Sequence, residues 1–240
     1  MILLANGCSH TAGAEIEHEQ QSSCFHKAWP KKLSDKLGFD HLNLSFSGAS
    51  CERIVRTSIE RLHLFKQQAS FDPSQIFFVI MWPDIWRSEL YKIEKNESGF
   101  FDNSWSPMVS GNDEIYKEQL SRSAYFYYKS WMLRLNQHQE SIRWYNNLLL
   151  LQNILISHKI KYFFYQGSQS LPSIDLPQYT SLINHKRFPT FNVRELNYCT
   201  LLNSKGFSFG PNSKFGHYGE DAQEWFADFL KTLITKNKLL

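Results

Sequence analysis

The run Ile76-Phe77-Phe78-Val79-Ile80-Met81 constrains this chain most. Six consecutive apolar residues, started after an Asp72-Pro73 break and followed by Trp82-Pro83, read as a strand buried on both faces rather than one with a wet side. A strand of that kind sits inside a parallel sheet covered by helices on either side, and the rest of the chain supplies the parts. Ile2-Leu3-Leu4-Ala5, His41-Leu42-Asn43-Leu44 and Lys161-Tyr162-Phe163-Phe164-Tyr165 are further short strands, and Phe207-Ser208-Phe209 is a last one. Between them fall helical periods over Ala28–Leu37, ending at Gly38, and over Cys51–Gln68, capped by Ser50. Further helices are expected over Tyr116–Asn136, Glu140–His158, Val193–Asn203 and Gly219–Lys236.

Alternating strands and helices predict an α/β fold: a three-layer α/β/α sandwich on a flavodoxin-like parallel sheet of about five strands. With 240 residues the chain suffices for one such domain over 1–240, carrying a helical, aromatic insertion at about 88–158. Within it, Glu94–Asp113, with Phe100, Phe101 and Trp105, reads as a long irregular excursion. Tyr125, Tyr127, Tyr128, Trp131 and Trp144 read as packing residues.

Composition narrows the function classes. A net charge of +3 with scattered Lys and Arg does not indicate a nucleic-acid partner. Cys8, Cys24, Cys51 and Cys199 stand far apart without a CxxC pair, which suggests neither a zinc site nor a disulfide framework, and no cofactor or metal is expected. The first residues lack a basic leader pattern and no apolar run approaches a membrane span, so a soluble, cytoplasmic chain without a membrane partner is expected. Oligomeric state is not legible. The aromatic share, 15% with 19 Phe, 11 Tyr and 7 Trp, exceeds what a core alone needs and predicts rings at a pocket or lid.

In open α/β sheets chemistry collects beyond the carboxyl ends of the strands. Ser9 stands just past the first strand, in Asn6-Gly7-Cys8-Ser9-His10-Thr11, and is the candidate nucleophile. Gly48, Asp84 and His217 fall in turns expected at the same edge, while Ala12–Lys27, with its Glu15/Glu17/Glu19 alternation, reads as a loop over the site. Each residue also has a plainer use: Ser9 as a turn cap, Gly48 as a turn glycine, His217 as an inert neighbour of a helix. His10 reads as a structural or substrate-facing ring, and Cys8 as pointing away from Ser9.

Gly7-Cys8-Ser9-His10-Thr11 resembles the first block of the SGNH (GDSL-type) hydrolase superfamily in its Gly-Cys-Ser form, and Asn43-Leu44-Ser45-Phe46-Ser47-Gly48-Ala49-Ser50 resembles the second. Phe78–Arg87 occupies the place of the third, and His217-Tyr218-Gly219 with Trp225 and Ala227 resembles the last. The chain looks like uncharacterised phage and bacterial members. The resemblance implies Ser9 as nucleophile, His217 as its base, and the backbone N–H groups of Ser9 and Gly48 as the oxyanion hole.

Two positions depart from the family pattern. Trp82-Pro83-Asp84-Ile85 stands where Gly-x-Asn-Asp is usual, and an ionised Asp84 cannot donate the hydrogen bond of the missing Asn. Lys214 stands where an Asp usually orients the histidine, which leaves a dyad, a backbone carbonyl, or a carboxylate from elsewhere such as Asp84. Arg87 is a candidate for an anionic group or a structural role, and Trp82 and Trp86 for stacking on a sugar or acyl group or for the core. The resemblance implies an esterase acting on a small-molecule or carbohydrate ester, such as an O-acetyl group. An O-acyltransferase with the same site, and a non-catalytic binding protein that keeps the fold, are the alternatives.

Overall fold

The computed structural model describes residues 1–17, 24–69, 71–91, 105–167, 176–211 and 213–240. Glu19, Phe100, Phe101 and most of the expected 94–113 excursion lie outside the described residues. Strand β1 (Ile2–Asn6) leads through a single helical turn, α1 (Ser9–Ala12), to α2 (Trp29–Leu37), then β2 (Asp40–Asn43), α3 (Cys51–Lys66) and β3 (Ile76–Trp82). Next come β4 (Arg87–Tyr91), β5 (Trp105–Val109), α4 (Asp113–Gln119), α5 (Arg122–Arg134) and α6 (Gln137–Ser157). The chain closes with β6 (Lys161–Gln166), α7 (Pro177–Thr180), α8 (Tyr198–Ser204) and α9 (Glu220–Lys236).

Four strands form a parallel sheet in the order β2-β1-β3-β6, with Ile2 level with both Asp40 and Ile76. All seven residues of β3 are buried, as a central strand with helices on both faces requires. Period-two alternation then divides its side chains. Phe78, Ile80 and Trp82 pack with Leu4 and Phe164 against Ile54 and Leu62 of α3 and Trp144 and Leu148 of α6. Phe77, Val79 and Met81 pack with Leu3, Ala5 and Phe163 against Trp29 of α2, Leu202 of α8 and Phe226 and Leu230 of α9. Each such large apolar side chain contributes about 1.5–3 kcal/mol when fully buried, so both outer layers are held by the sheet's alternation. The fold is the expected three-layer α/β arrangement.

The details differ from the expectation in three places. Among the described residues the parallel sheet has four strands, because Phe209 makes an isolated bridge with Tyr218 instead of a fifth strand. Tyr116–Asn136 is not one helix; α4 and α5 are separated at Leu120-Ser121, and the Ser121 side chain accepts from Ala124 N to start α5. Val193–Asn203 is likewise divided, into a 3-10 turn at Arg194–Leu196 and α8, whose start is capped by Asn197.

The segment after β3 supplies structure near the sheet's edge. Trp105–Val109, expected as irregular, pairs antiparallel with Arg87–Tyr91, placing Glu89 level with Pro107. Met108, Tyr116 and Tyr128 form a small core with Tyr125 and Trp131 packed on it, so most of the aromatic excess here is packing, although Tyr127 is exposed. A buried ion pair fastens the hairpin to the domain: Glu89 meets Arg53 and Arg56 of α3, each at 3.3 Å. Among the described residues no helix is long and apolar enough to cross a membrane.

Candidate active site

The carboxyl end of β1 is tied down before the site begins. Asn6 is buried, its Nδ2 donates to Ile54 O, Thr57 Oγ1 and Ser58 Oγ of α3, and its Oδ1 accepts from Gly7 N at 2.9 Å. Gly7 allows the chain to turn tightly there, since a Cβ at this position would stand 2.2 Å from Thr11 Oγ1. Ser9 is therefore the first residue of the helical turn α1, delivered by a strand end that has little freedom. Cys8 is buried in the apolar layer and Ser9 lines the cleft, so the two side chains diverge as expected.

The second turn is bound to the first. Asn43 Nδ2 donates to Thr11 O at 2.9 Å, Asn43 Oδ1 accepts from Ser45 N, and Phe46 N donates to Gly7 O. This places Gly48, at φ 77°, beside Ser9 in one cleft. Among the described residues neither the Ser9 nor the Gly48 backbone N–H has an acceptor within the protein. Two unspent donors at one cleft are what an oxyanion requires. From above, Pro107 of β5 closes on Gly48, its Cβ only 3.0 Å from where a side chain would start.

The carboxylate against His217 comes from a place not singled out by sequence. Glu15, six positions after Ser9, is buried and places Oε2 2.6 Å from Nδ1 of His217. The same oxygen accepts from Ser213 Oγ at 2.9 Å and Phe215 N at 3.1 Å, while Ser213 Oγ also accepts from His217 N. Glu15 and the His217 loop thus form one network. Burial pushes the Glu15 carboxyl up, but the bonds from His217, Phe215 N and Ser213 outweigh it and hold the group below the usual carboxylate range. Glu15 takes a left-handed backbone, φ 62°, unusual for a residue with a Cβ and costing on the order of 1 kcal/mol. Its Oε1 is buried and has no donor among the described residues. Strain and an unpaired oxygen are both concentrated on the residue that holds the histidine.

His217 is buried and also lines the cleft. With Nδ1 bound to Glu15, Nε2 is the ring nitrogen outside that contact. Burial lowers the imidazole below its ordinary value, more than the Glu15 carboxylate raises it, and Arg87 lowers it further. His217 is therefore a neutral base near pH 7. His10 forms a wall of the cleft, its ring centroid 5.0 Å from that of His217 and 4.9 Å from that of Tyr198. Burial, His217 and Arg87 hold it well below its usual value, so it too is neutral.

The remaining candidates separate. Asp84 does not orient the histidine: its Oδ1 accepts from Trp86 N and its Oδ2 from Arg87 Nε, each at 3.0 Å, because the turn after β3 closes on itself. Arg87 lines the cleft; Asp84 is not among the lining residues. Trp82 is fully buried, edge-on to Trp144 and Phe164 at 6.1 and 5.3 Å, which removes it from substrate stacking. Trp86 is partly buried against the same layer. Tyr116 and Phe215 supply aromatic rings at the cleft, which has a volume of about 240 Å³. Sequence reasoning missed Glu15; the signal available was an acidic residue set between Ala14 and Ile16, close behind Ser9.

Outside the cleft, Glu17, Cys24 and His26 bring ligand-type atoms within 4.8 Å of one another. Glu17 Oε1 already has the Lys27 ammonium at 3.0 Å, and burial, then Glu17, pushes the Cys24 thiol up to about 11. The raised value favours the protonated thiol over a metal-bound thiolate, and Lys27 occupies the Glu17 oxygen.

Residues 16–182 match the model of DUF6071, described as a family of unknown function. No curated protein matches the chain in sequence. Among solved structures it is similar to TesA, at 15% identity over 99% of either chain with a TM-score of 0.46. It is similar to the psychrotrophic esterase EstA of Pseudoalteromonas sp., at 13% identity over 98% of this chain and 97% of that one, with a TM-score of 0.47. A member of the lipolytic protein G-D-S-L family from Veillonella parvula shares 13% identity over 98% of this chain and 99% of that one, with a TM-score of 0.49.

Proposed function

The chain belongs to the DUF6071 family, a family of unknown function, so its activity is read from its site, and we propose that it is a serine hydrolase cleaving a carboxylic ester through an acyl-Ser9 intermediate. The observation that carries this reading is the Glu15–His217 contact, which restores the orienting acid absent from the position of Lys214. A serine hydroxyl is a weak nucleophile until a positioned base takes its proton. His217 Nε2 takes it as Oγ attacks the ester carbonyl, and Glu15 stabilises the imidazolium through Nδ1–H. The oxyanion receives the Ser9 and Gly48 N–H groups; each donor of this kind is worth roughly 3 kcal/mol. Collapse breaks the bond to the alcohol oxygen, which leaves with the proton from His217. Water, deprotonated by the same nitrogen, then attacks the acyl group, and the acid departs as Ser9 recovers its proton.

A cleft of about 240 Å³ suits a short acyl group. With Trp82 in the core, a sugar-stacking wall is not part of the proposal. The test is hydrolysis of p-nitrophenyl acetate and labelling by a fluorophosphonate, in the wild type and in Ser9→Ala. Hydrolysis and labelling that both require Ser9 support the reading. Equal rates in the two proteins, with no label on Ser9, overturn it.

A further inference from the structure

Arg87 is the cleft's one formally charged lining residue among the described residues, and the role just proposed makes no use of it. Its guanidinium is largely buried and held at one corner only: Nε donates to Asp84 Oδ2 at 3.0 Å, and Asp84 is itself fixed by Trp86 N. The backbone is held as well, since Arg87 O accepts from Arg143 Nη2 at 2.6 Å and the residue pairs with Val109 across the hairpin. Among the described residues the guanidinium's hydrogen bond and ion pair run through Nε, and neither Nη group makes one. The other acid near the cleft, Glu15, has its charge directed at His217, Ser213 and Phe215. Planar guanidinium nitrogens offered as a pair match the two oxygens of a carboxylate or phosphate, whereas a single tetrahedral oxyanion already has the Ser9 and Gly48 amides.

We propose that Arg87 is a specificity residue that selects an ester bearing a carboxylate or phosphate close to the scissile bond, recognised end-on by its two Nη groups. This rests on the serine-hydrolase reading for its chemistry but not for its binding. The anion can belong to the acyl part or to the alcohol part. Asp84 supplies the counter-charge through Nε alone, so the two Nη groups keep a fork that a bidentate anion can complete, which gives the site a reason to discriminate.

The test uses two pairs of matched esters with the full-length protein. The first pair, mono-p-nitrophenyl succinate and its neutral succinamate, places the charge on the acyl side; the second, 4-acetoxybenzoate and 4-acetoxybenzamide, places it on the alcohol side. In the wild type at least one charged member is expected to exceed its neutral partner about 10-fold or more in kcat/KM. In Arg87→Gln that ratio falls to about 1, and in Arg87→Lys, which keeps charge without the fork, it is intermediate. The arm that shows the preference identifies the side of the ester. No preference in either pair overturns the proposal. Binding of succinate and of inorganic phosphate to Ser9→Ala by calorimetry separates the two readings: saturable binding lost in Ser9→Ala/Arg87→Gln supports the anion site even where no ester is hydrolysed. Absence of binding together with absence of hydrolysis overturns it. Should Arg87→Gln fail to fold, the lysine variant carries the same comparison.

Discussion

Glu15 Oε2 and His217 Nδ1 stand 2.6 Å apart although 202 positions separate the residues in sequence. The contact engages one imidazole nitrogen and leaves Nε2 outside it, and it ties the loop before α9 to the segment after α1. An acid on the loop that follows Ser9 joins that loop to His217 through one short piece of chain.

Replacing Glu15 by Gln keeps its size but removes the charge that stabilises the imidazolium. The expected result is a fall in kcat of about 10²–10⁴-fold on an ester that the wild type cleaves. Steady-state kinetics with a thermal-unfolding control checks it. A loss below threefold in a folded variant would show that another group orients His217.

The pH profile follows from the same pair. His217 must be neutral to accept a proton, and burial holds its folded value below the ordinary 6.5. Activity is present above that folded value and is lost as pH falls through it, so the acid limb of kcat/KM lies below pH 6.5. Because the Glu15 carboxylate raises His217, Glu15→Gln moves the limb to still lower pH. A merely structural role for Glu15 would leave the limb where it is. A wild-type limb above pH 6.5 contradicts the assignment.

Glu89 connects the hairpin to the site at second hand. It is buried, paired with Arg53 and Arg56, and level with Pro107, whose ring covers Gly48. Glu89→Ala removes the buried carboxylate that Arg53 and Arg56 share and is expected to cost about 3–5 kcal/mol of stability. Urea unfolding reads that directly. Loosening Pro107 should also lower kcat/KM more than it lowers fluorophosphonate labelling of Ser9, since the cover over the acyl group moves while the nucleophile does not.

Much of the frame is legible from local pattern. The continuous run at Ile76–Met81 announces a strand covered on both faces, the Gly-Cys-Ser turn after β1 announces a serine at the strand's carboxyl end, and Ser50 and Gly38 mark helix ends where they are found. These signals are local because strand burial, tight turns and caps depend on neighbours within a few residues. The count of strands was not so readable: Phe207–Phe209 has an apolar alternation, but among the described residues its pairing is one bridge to Tyr218.

The sequence by itself determined the layered α/β frame and the convergence of Ser9, Gly48 and His217 on one edge, because a parallel sheet brings the turns at its carboxyl ends together whatever their separation in the chain. Only the tertiary structure decided which carboxylate serves the histidine. Asp84 stood at a family position but is used by its own turn, on Trp86 N and Arg87 Nε. Glu15 carried no motif, and it meets the histidine because a left-handed residue after α1 aims its side chain at the loop that carries Ser213, Phe215 and His217. A hydrogen bond between side chains far apart in sequence leaves no periodic trace; it is set by where two loops meet, and that is fixed only when the core beneath them has packed.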